Sequence, residues 1–464
     1  MDGLLASAAA RMPLADGALH IWRWAIEPAY LDELYERHRQ RGYSRVLEFS
    51  TLVHLIADAL LVHGGSGREA FETAREQCVL PASVQAAYGK LRRFPPELSE
   101  VFLAQTTARL RQLWPAGVSL ASLPKSLDRY DPLVLDGKTV KGIARRLKPL
   151  RNVSGGVVGG KALVALDLRH GLAIAMRTRL DGNANEVLLT PELTADVRTS
   201  GDRPRLWIGD RAFSYVQQTL ELGAESDAFL VRRRADIVFE PDTDVPARSG
   251  SDEEGRRWRE QYGWLSRHRQ PRAVRVRQIS LPLDEGDELI LVTSLLDSRA
   301  IPAADLLALY RQRWSIERVF QDVTEVFGLR HLIGSTPQAS LFQFALCLVL
   351  YNTLQLIRAY IAAGQQRPAA DLSTEKIFRD LQRQLGAWML LFSPAAAIAR
   401  HRAIPTQNAT REYLATHIGR CWTPRWLKAP PQKRRAPPKS DGHGKHVSAQ
   451  VIIEKSRTRR KKRR

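Results

Sequence analysis

Asp136 and Asp210 each close a short apolar run, Leu133-Val134-Leu135 before the first and Leu206-Trp207-Ile208-Gly209 before the second. Taken singly, a carboxylate at the end of a buried strand is often just a turn residue. Taken together, two strands ending in Asp and lying close in one sheet would bring two anions side by side. Their repulsion is costly unless a cation sits between them. Oxygen-only anionic ligands suit a hard divalent cation such as Mg²⁺.

A third carboxylate, Glu317, lies in "YRQRWSIERVF", residues 310–320. On a helix Tyr310, Arg313 and Glu317 have the i, i+3, i+7 spacing of one face, spread over about 10 Å at a rise of about 1.5 Å per residue. Tyr and Arg suit phosphate oxygens, and Glu suits Mg²⁺. The plainer reading is an Arg313–Glu317 pair worth about 0.3 kcal/mol on a solvated face. That reading explains the pair but not its company with Asp136 and Asp210.

The elements that must position these residues follow from the pattern. Residues 1–125 read as helical, with amphipathic periodicity in "SRVLEFSTLVHLIADALLVHG" and two short helices around Phe94-Pro95-Pro96. Such a helix pair fits either a DNA-reading unit or plain helical packing. From about residue 130, "PLVLDG", "ALVALDL", "LAIAMRTRL", "RLWIGD" and "AFLVRRR" read as strands, the second and third joined by the turn "RHG". Helical patterns at 185–197 and 213–223 alternate with the later strands, which predicts a mixed sheet with helices on its faces. Residues 236–295 break the pattern. They read as an irregular, charged stretch and then two antiparallel strands around "DEGD". A helix over "AADLLALYRQRWSIERVFQDVTEVF" follows, with Gly328 as its C-cap. "LFQFALCLVLYNTLQLI" (341–357) is interrupted by Gln343, Asn352 and Gln355 and reads as a buried core helix. "GGVVGGKA" (155–162) resembles a phosphate loop, but Ala162 stands where Ser or Thr is needed and a strand follows. A flexible glycine loop entering the hairpin is the preferred reading.

The chain of 464 residues has 44% hydrophobic residues and a formal net charge of +21, which favours a polyanionic partner such as nucleic acid. Between Arg425 and Arg464, 15 lysines and arginines face only Asp441 and Glu454. This Pro-, Lys- and Arg-rich tail is expected to lack structure without a partner. Cys78, Cys347 and Cys421 are odd in number and widely spaced, with neither a disulfide framework nor zinc spacing, which suits a reducing cytosol. "MDGLLASAAARMPLADG" has no basic region before its apolar run, so no secretory signal is expected.

"LVLDGKTVKG", "WIGDRAF" and "YRQRWSIERVFQD" together resemble the three catalytic stretches of DDE transposases of bacterial insertion sequences. They are most similar to the insertion-sequence-four (IS-four) branch, with its Y-x2-R-x3-E-x6-K signature. The resemblance covers about 130–335 and, more loosely, 40–115. It implies an α/β fold: a ribonuclease-H-like mixed-sheet catalytic core with a β-rich insertion, flanked by N- and C-terminal helical regions. The corresponding division is a DNA-binding-like helical domain (1–125), the core (126–235), the insertion (236–295), the Glu-bearing helix (296–335), a helical region (336–426) and the basic tail (427–464). It also implies that Asp136, Asp210 and Glu317 are catalytic and hold two Mg²⁺ ions, for which Mn²⁺ can substitute. Water and then a 3′-hydroxyl would attack DNA phosphodiesters. Tyr310, Arg313, Lys138 and Arg211 would contact DNA. Trp258 and Trp264 are candidates to stack a flipped base, or are packing residues. The implied partners are double-stranded DNA, as terminal inverted repeats and target, and a second copy of the chain in a synaptic complex. The implied location is the bacterial cytoplasm, at the nucleoid. One position departs: the signature's final basic residue falls on Thr324. That departure keeps open a transposase-derived DNA-binding protein with weak or no catalysis.

Overall fold

The computed structural model describes residues 2–40, 46–252 except 142, 144–146, 152 and 154–155, then 254–267, 270–283, 287–326, 329, 333–391, 406–429 and 447–461. The expected cap Gly328, Gly155 of the glycine run and most of "DEGD" lie outside these residues.

The chain opens with helices α1 (Asp2–Arg11), α2 (Pro13–Ala25), α3 (Pro28–His38), α4 (Phe49–Leu61), α5 (Gly67–Glu76), α6 (Val84–Leu91) and α7 (Pro96–Gln112). The sheet begins with β1 (Asp131–Lys141), β2 (Val157–Asp167) and β3 (Leu172–Arg179), an antiparallel meander. Helix α8 (Thr190–Arg198), β4 (Arg205–Gly209), α9 (Val216–Leu222) and β5 (Ala228–Arg232) follow. Strand β4 runs parallel to β1, and β5 parallel to β4. The order β3-β2-β1-β4-β5, with only β2 reversed, is the ribonuclease-H-like arrangement.

Residues 236–295 continue this sheet. Strands β6 (Val238–Pro241), β7 (Arg248–Ser251), β8 (Arg257–Arg267), β9 (Gln270–Pro282) and β10 (Glu288–Thr293) bring it to 11 strands among the described residues. Strand β10 pairs with β5, with Val292 opposite Val231. The charged stretch expected to be irregular therefore contains an 11-residue strand, β8. Its arginines hid it, because only Leu265 of its inward side is a large buried aliphatic residue. Glu260, buried on the sheet face opposite to that of Leu265, is neutralised by Arg277 of β9 at 2.9 Å.

Two apolar clusters cover the two sheet faces. Leu133, Leu135, Trp207 and Phe229 pack under α8 and α9, while Val134, Leu206, Ile208 and Leu230 belong to the larger core formed with the N-terminal helices. The expected buried helix is α12, which follows α10 (Ala303–Arg311) and α11 (Ser315–Glu325) and spans Pro337–Gly364. By length and composition it could cross a membrane, yet its apolar window is wholly buried inside the protein. Two of its three polar interruptions, Asn352 and Gln343, are held by hydrogen bonds to neighbouring elements, while Gln355 accepts from Arg358 but its buried Nε2 has no partner among the described residues. The Asn352 amide donates to Thr107 Oγ1 of α7 and to the Ala173 carbonyl of β3, each at 2.8 Å, and accepts from Ala173 N–H at 2.9 Å. Gln343 accepts from Ile333 N–H at 2.8 Å. The glycine run is not a loop as expected: residues 157–162 lie in β2 under α12. Gly160 has φ +122°, and a Cβ there would lie about 3.0 Å from Leu341.

The remaining elements are α13 (Thr374–Leu391), α14 (Gln407–His417), β11 (Val447–Ser448) and α15 (Ala449–Lys461). Residues 447–461 correct the expectation of an unstructured tail. Strand β11 pairs parallel with the start of β2, at the place where β3 has left it.

Candidate active site

Strand β1 is longer than its apolar run, because β2 keeps pairing with it as far as Lys141. Asp136 is therefore mid-strand rather than at a strand end. It lies where the neighbour on the other side stops: Val134 pairs with Ile208, and β4 ends at Gly209. Continuing that parallel register sets Asp210 beside Asp136, on strands about 4.8 Å apart. Alternation puts both on the Val134/Ile208 face, the one that α11 covers, through Ile316 and Val319. Gly137 points the other way. A side chain there would collide with Glu186, whose Cγ would lie 2.6 Å from the added Cβ.

Backbone amides hold the two carboxylates. Gly137 N–H donates to Asp136 Oδ1 at 2.8 Å, and Ala212 N–H donates to Asp210 Oδ1 at 2.7 Å, capping a short 3-10 turn. Burial pushes the Asp136 carboxyl up to about 7, and the charges of Glu317 and then Asp210 add to the rise.

The helix expected over 303–327 is broken by a 3-10 turn at Gln312–Trp314. Tyr310 thus ends α10 while Glu317 stands in the first turn of α11. Tyr310, Arg313 and Glu317 nonetheless line one cavity of about 410 Å³ together with Asp210 and Arg211. The Tyr310 hydroxyl donates to the Gly209 carbonyl at 3.4 Å, and burial pushes the phenol up to about 12. Arg313 Nη1 donates to Glu317 Oε1 at 2.7 Å, so the plain i,i+4 pair exists. The other oxygen, Oε2, is buried and has no hydrogen-bond partner among the described residues.

The same cavity takes Arg232, Arg256, Arg311 and Trp314, none of which the sequence reading singled out. Trp314 is 60% exposed, and the Arg313 guanidinium lies 4.5 Å from its ring centre. The motif does contain Trp314 and Arg311, and Trp314, four residues after Tyr310, shares its helical face, a spacing that the i, i+3, i+7 set passes over. Trp258 and Trp264 are elsewhere. Trp258 packs against the core and over Gly250. Trp264 lies beneath Arg272 and Arg275, at 4.4 and 5.4 Å. Neither lines the cavity.

Lys138 sits two residues beyond Asp136 and so on the same strand face. Its ammonium is 5.4 Å from the Phe320 ring centre, and burial, then Lys141, lowers its pKa. Thr324, where the signature calls for a base, donates its hydroxyl to the Phe320 carbonyl at 2.6 Å.

Residues 129–353 match the transposase DDE domain. The matched segment is just under half of the chain and contains Asp136, Asp210 and Glu317. No curated protein matches the sequence. Among solved structures the chain is similar to piggyBac transposase in a synaptic complex with hairpin DNA, at 11% identity and a TM-score of 0.42, with 88% of this chain and 86% of that chain covered.

DDE domains use divalent metal, and the donor chemistry here fits one: anionic oxygens, one buried and unpartnered, beside a carboxyl whose pKa is raised by burial and then by the charge of Glu317. Among the described residues no group of three or more His, Cys, Asp or Glu is close enough to share a metal. One oxygen of Glu317 is instead engaged by Arg313.

The raised carboxyl has a measurable consequence. Asp136 in the unfolded chain titrates near 3.9, so the native state retains a proton that the unfolded state releases. The associated stability is complete below about pH 4 and is lost as pH rises through about 7. Asp136→Asn is therefore expected to raise the metal-free Tm by about 3 °C at pH 8 and to leave it nearly unchanged at pH 4. Mg²⁺ should stabilise the unsubstituted protein more at pH 8 than at pH 5.5, since it must displace the proton, and should not stabilise the variant. Thermal unfolding with and without Mg²⁺ checks each part. A Tm lowered by Asn at pH 8 would contradict it.

Proposed function

We propose that this protein is a DNA transposase that cuts the ends of an insertion sequence and joins them to target DNA. The observation that carries the reading is the β1–β4 register, whose continuation sets Asp136 and Asp210 on one sheet face, beside a cavity lined by Asp210, Glu317 and five arginines. Asp136, Asp210 and Glu317 would hold two Mg²⁺ ions, or Mn²⁺ in their place. Bound there, the metal supplies Lewis-acid polarisation of the scissile phosphate and an activated attacking oxygen.

The remaining chemistry belongs to this chain. Arg313 can release Glu317 and take a phosphate oxygen, and Arg211 and Arg232 add charge along the cavity. Tyr310, anchored on Gly209, fixes the helix break against the end of β4. The exposed Trp314 face offers a stacking surface for a base next to the cut. Trp258 and Trp264 are structural in this reading. Terminal inverted repeats and target duplex are the proposed partners, bound by a homodimer in a bacterial cytoplasm. The test is Mg²⁺-dependent nicking of DNA carrying the repeats that flank the gene, with a DNA gel shift in Ca²⁺ beside it.

The second reading, DNA binding without cleavage, is favoured by Thr324 and by the Arg313–Glu317 contact. In the catalytic reading Lys138 takes over the missing base, because its ammonium lies over Phe320, one turn from Thr324. Lys138→Gln should then weaken DNA binding in Ca²⁺ by about tenfold, and adding Thr324→Lys should restore most of it. Unchanged binding in the single variant would remove Lys138 from the DNA contact.

A further inference from the structure

The C-terminal segment is where the sheet and the charge of the chain meet. Val447 N–H donates to the Gly156 carbonyl at 3.0 Å, and Ser448 Oγ accepts from Gly182 N–H at 3.3 Å. Ser448 and Ala449 are fully buried, and Ile452 packs on the main core. Helix α15 lies against β2 and the turn Lys148–Leu150. Its inward stripe is Ala449, Ile452 and Ser456, whereas Lys455 and Arg457 are exposed. From Lys455 to Arg464 the sequence carries eight lysines and arginines and no acid.

The register gives this arm a place. Val164 of β2 pairs with Asp136, and Val158 pairs with Ser448. Six strand residues separate those rungs, about 20 Å at about 3.3 Å each. Because β2 runs opposite to β1, the strand of the arm lies beyond the carboxylates, level with Lys141 at the C-terminal end of β1. Duplex DNA rises about 3.4 Å per base pair, so the anchor of the arm is offset from the carboxylates by the length of about six base pairs.

We infer that the strand–helix arm 447–461, anchored about 20 Å from the carboxylates, is a fixed phosphate clamp that grips the backbone of duplex DNA flanking the point of cleavage, independent of sequence. The inference rests on the transposase reading for its occupant. What it adds is a second, pre-positioned contact outside the DDE segment. Charge complementarity and offset are its grounds: a free tail would supply the same cations, but at no defined distance from the site.

The test uses the full chain and a duplex of about 30 base pairs of arbitrary sequence, with affinity read against salt in Ca²⁺. Lys455→Gln with Arg457→Gln removes two exposed cations and leaves the inward stripe intact. The slope of log affinity against log salt should become shallower by about 1.8, and affinity near physiological salt should fall about tenfold. Val447→Pro keeps every charge but removes the hydrogen bond to Gly156, and should lower affinity at least about threefold because the cations are no longer held in place. A wild-type slope in the double variant would overturn the DNA contact, and wild-type affinity in Val447→Pro would overturn the fixed arm. Nicking by the same proteins separates the two failures. Cleavage that still needs Glu317 leaves the transposase reading standing when the arm fails, whereas an unsubstituted protein that neither binds nor nicks removes both.

Discussion

Glu317→Gln is expected to cut Mg²⁺-dependent strand cleavage by at least about a thousandfold while leaving DNA binding within about twofold. Glu317 is only partly exposed and shares one oxygen with Arg313, while the other has no partner. The amide keeps the shape and can still accept from Arg313, so the fold should tolerate it. What it loses is the charge that a divalent cation requires. Ground-state binding gains slightly, if anything, because a carboxylate near the cavity repels phosphate until metal neutralises it. Arg313→Ala should behave differently, weakening binding first and cleavage in consequence. If Glu317 were merely the partner of Arg313, the Gln variant would cost about 0.3 kcal/mol of stability and cleave normally. Parallel nicking and gel-shift assays distinguish these outcomes.

The largest stability effect is expected far from the carboxylates. Arg277 is fully buried, and Glu260, 2.9 Å away on β8, is almost so. The contact is charge proximity rather than an aligned hydrogen bond, since Glu260 Oε1 and Arg277 Nη2 have no hydrogen-bond partner among the described residues. Arg277→Met strands the Glu260 charge in the sheet and should cost about 3–5 kcal/mol. It also removes the bonds from Arg277 Nη1 to the carbonyls of Leu295 and Ile301, at 3.3 and 2.7 Å, which hold the chain entering α10. Activity should therefore fall at temperatures where the protein is still folded, through loosening of the helix that carries Tyr310. Replacing Glu260 by Met as well should recover most of the stability and little of that positioning. Urea unfolding of both variants is the check, and a single-variant cost below about 1 kcal/mol would mean that Glu260 is solvated.

How much of this was legible in the sequence depended on which signal carried it. Asp136 and Asp210 were legible because buried apolar runs point to strands and both runs end in the same residue. The meander of β1, β2 and β3 was legible from alternation around one tight turn. Strand β8 was not, because its buried Glu260 is neutralised by Arg277 seventeen residues away around the hairpin, a partnership that no local pattern announces. The helix break at 312–314 was hidden for the opposite reason: the local pattern is strongly helical, and tertiary packing overrides it. Trp314 was overlooked too, while Trp258 and Trp264 drew notice only for lying in the insertion. The docked arm at 447–461 was masked by its composition. Its basic half reads as disorder, whereas the anchoring residues Val447, Ser448 and Ala449 are too few to register as a strand.

The central claim is that Asp136, Asp210 and Glu317 together hold the metal that drives phosphodiester chemistry. The most direct measurement is anomalous scattering from Mn²⁺ in crystals of the full chain with DNA bound. The account predicts density contacting Asp136 and Asp210, with Glu317 turned away from Arg313 to join them. Mn²⁺ found elsewhere, or Glu317 still paired with Arg313 in a complex that cleaves its DNA, would contradict it.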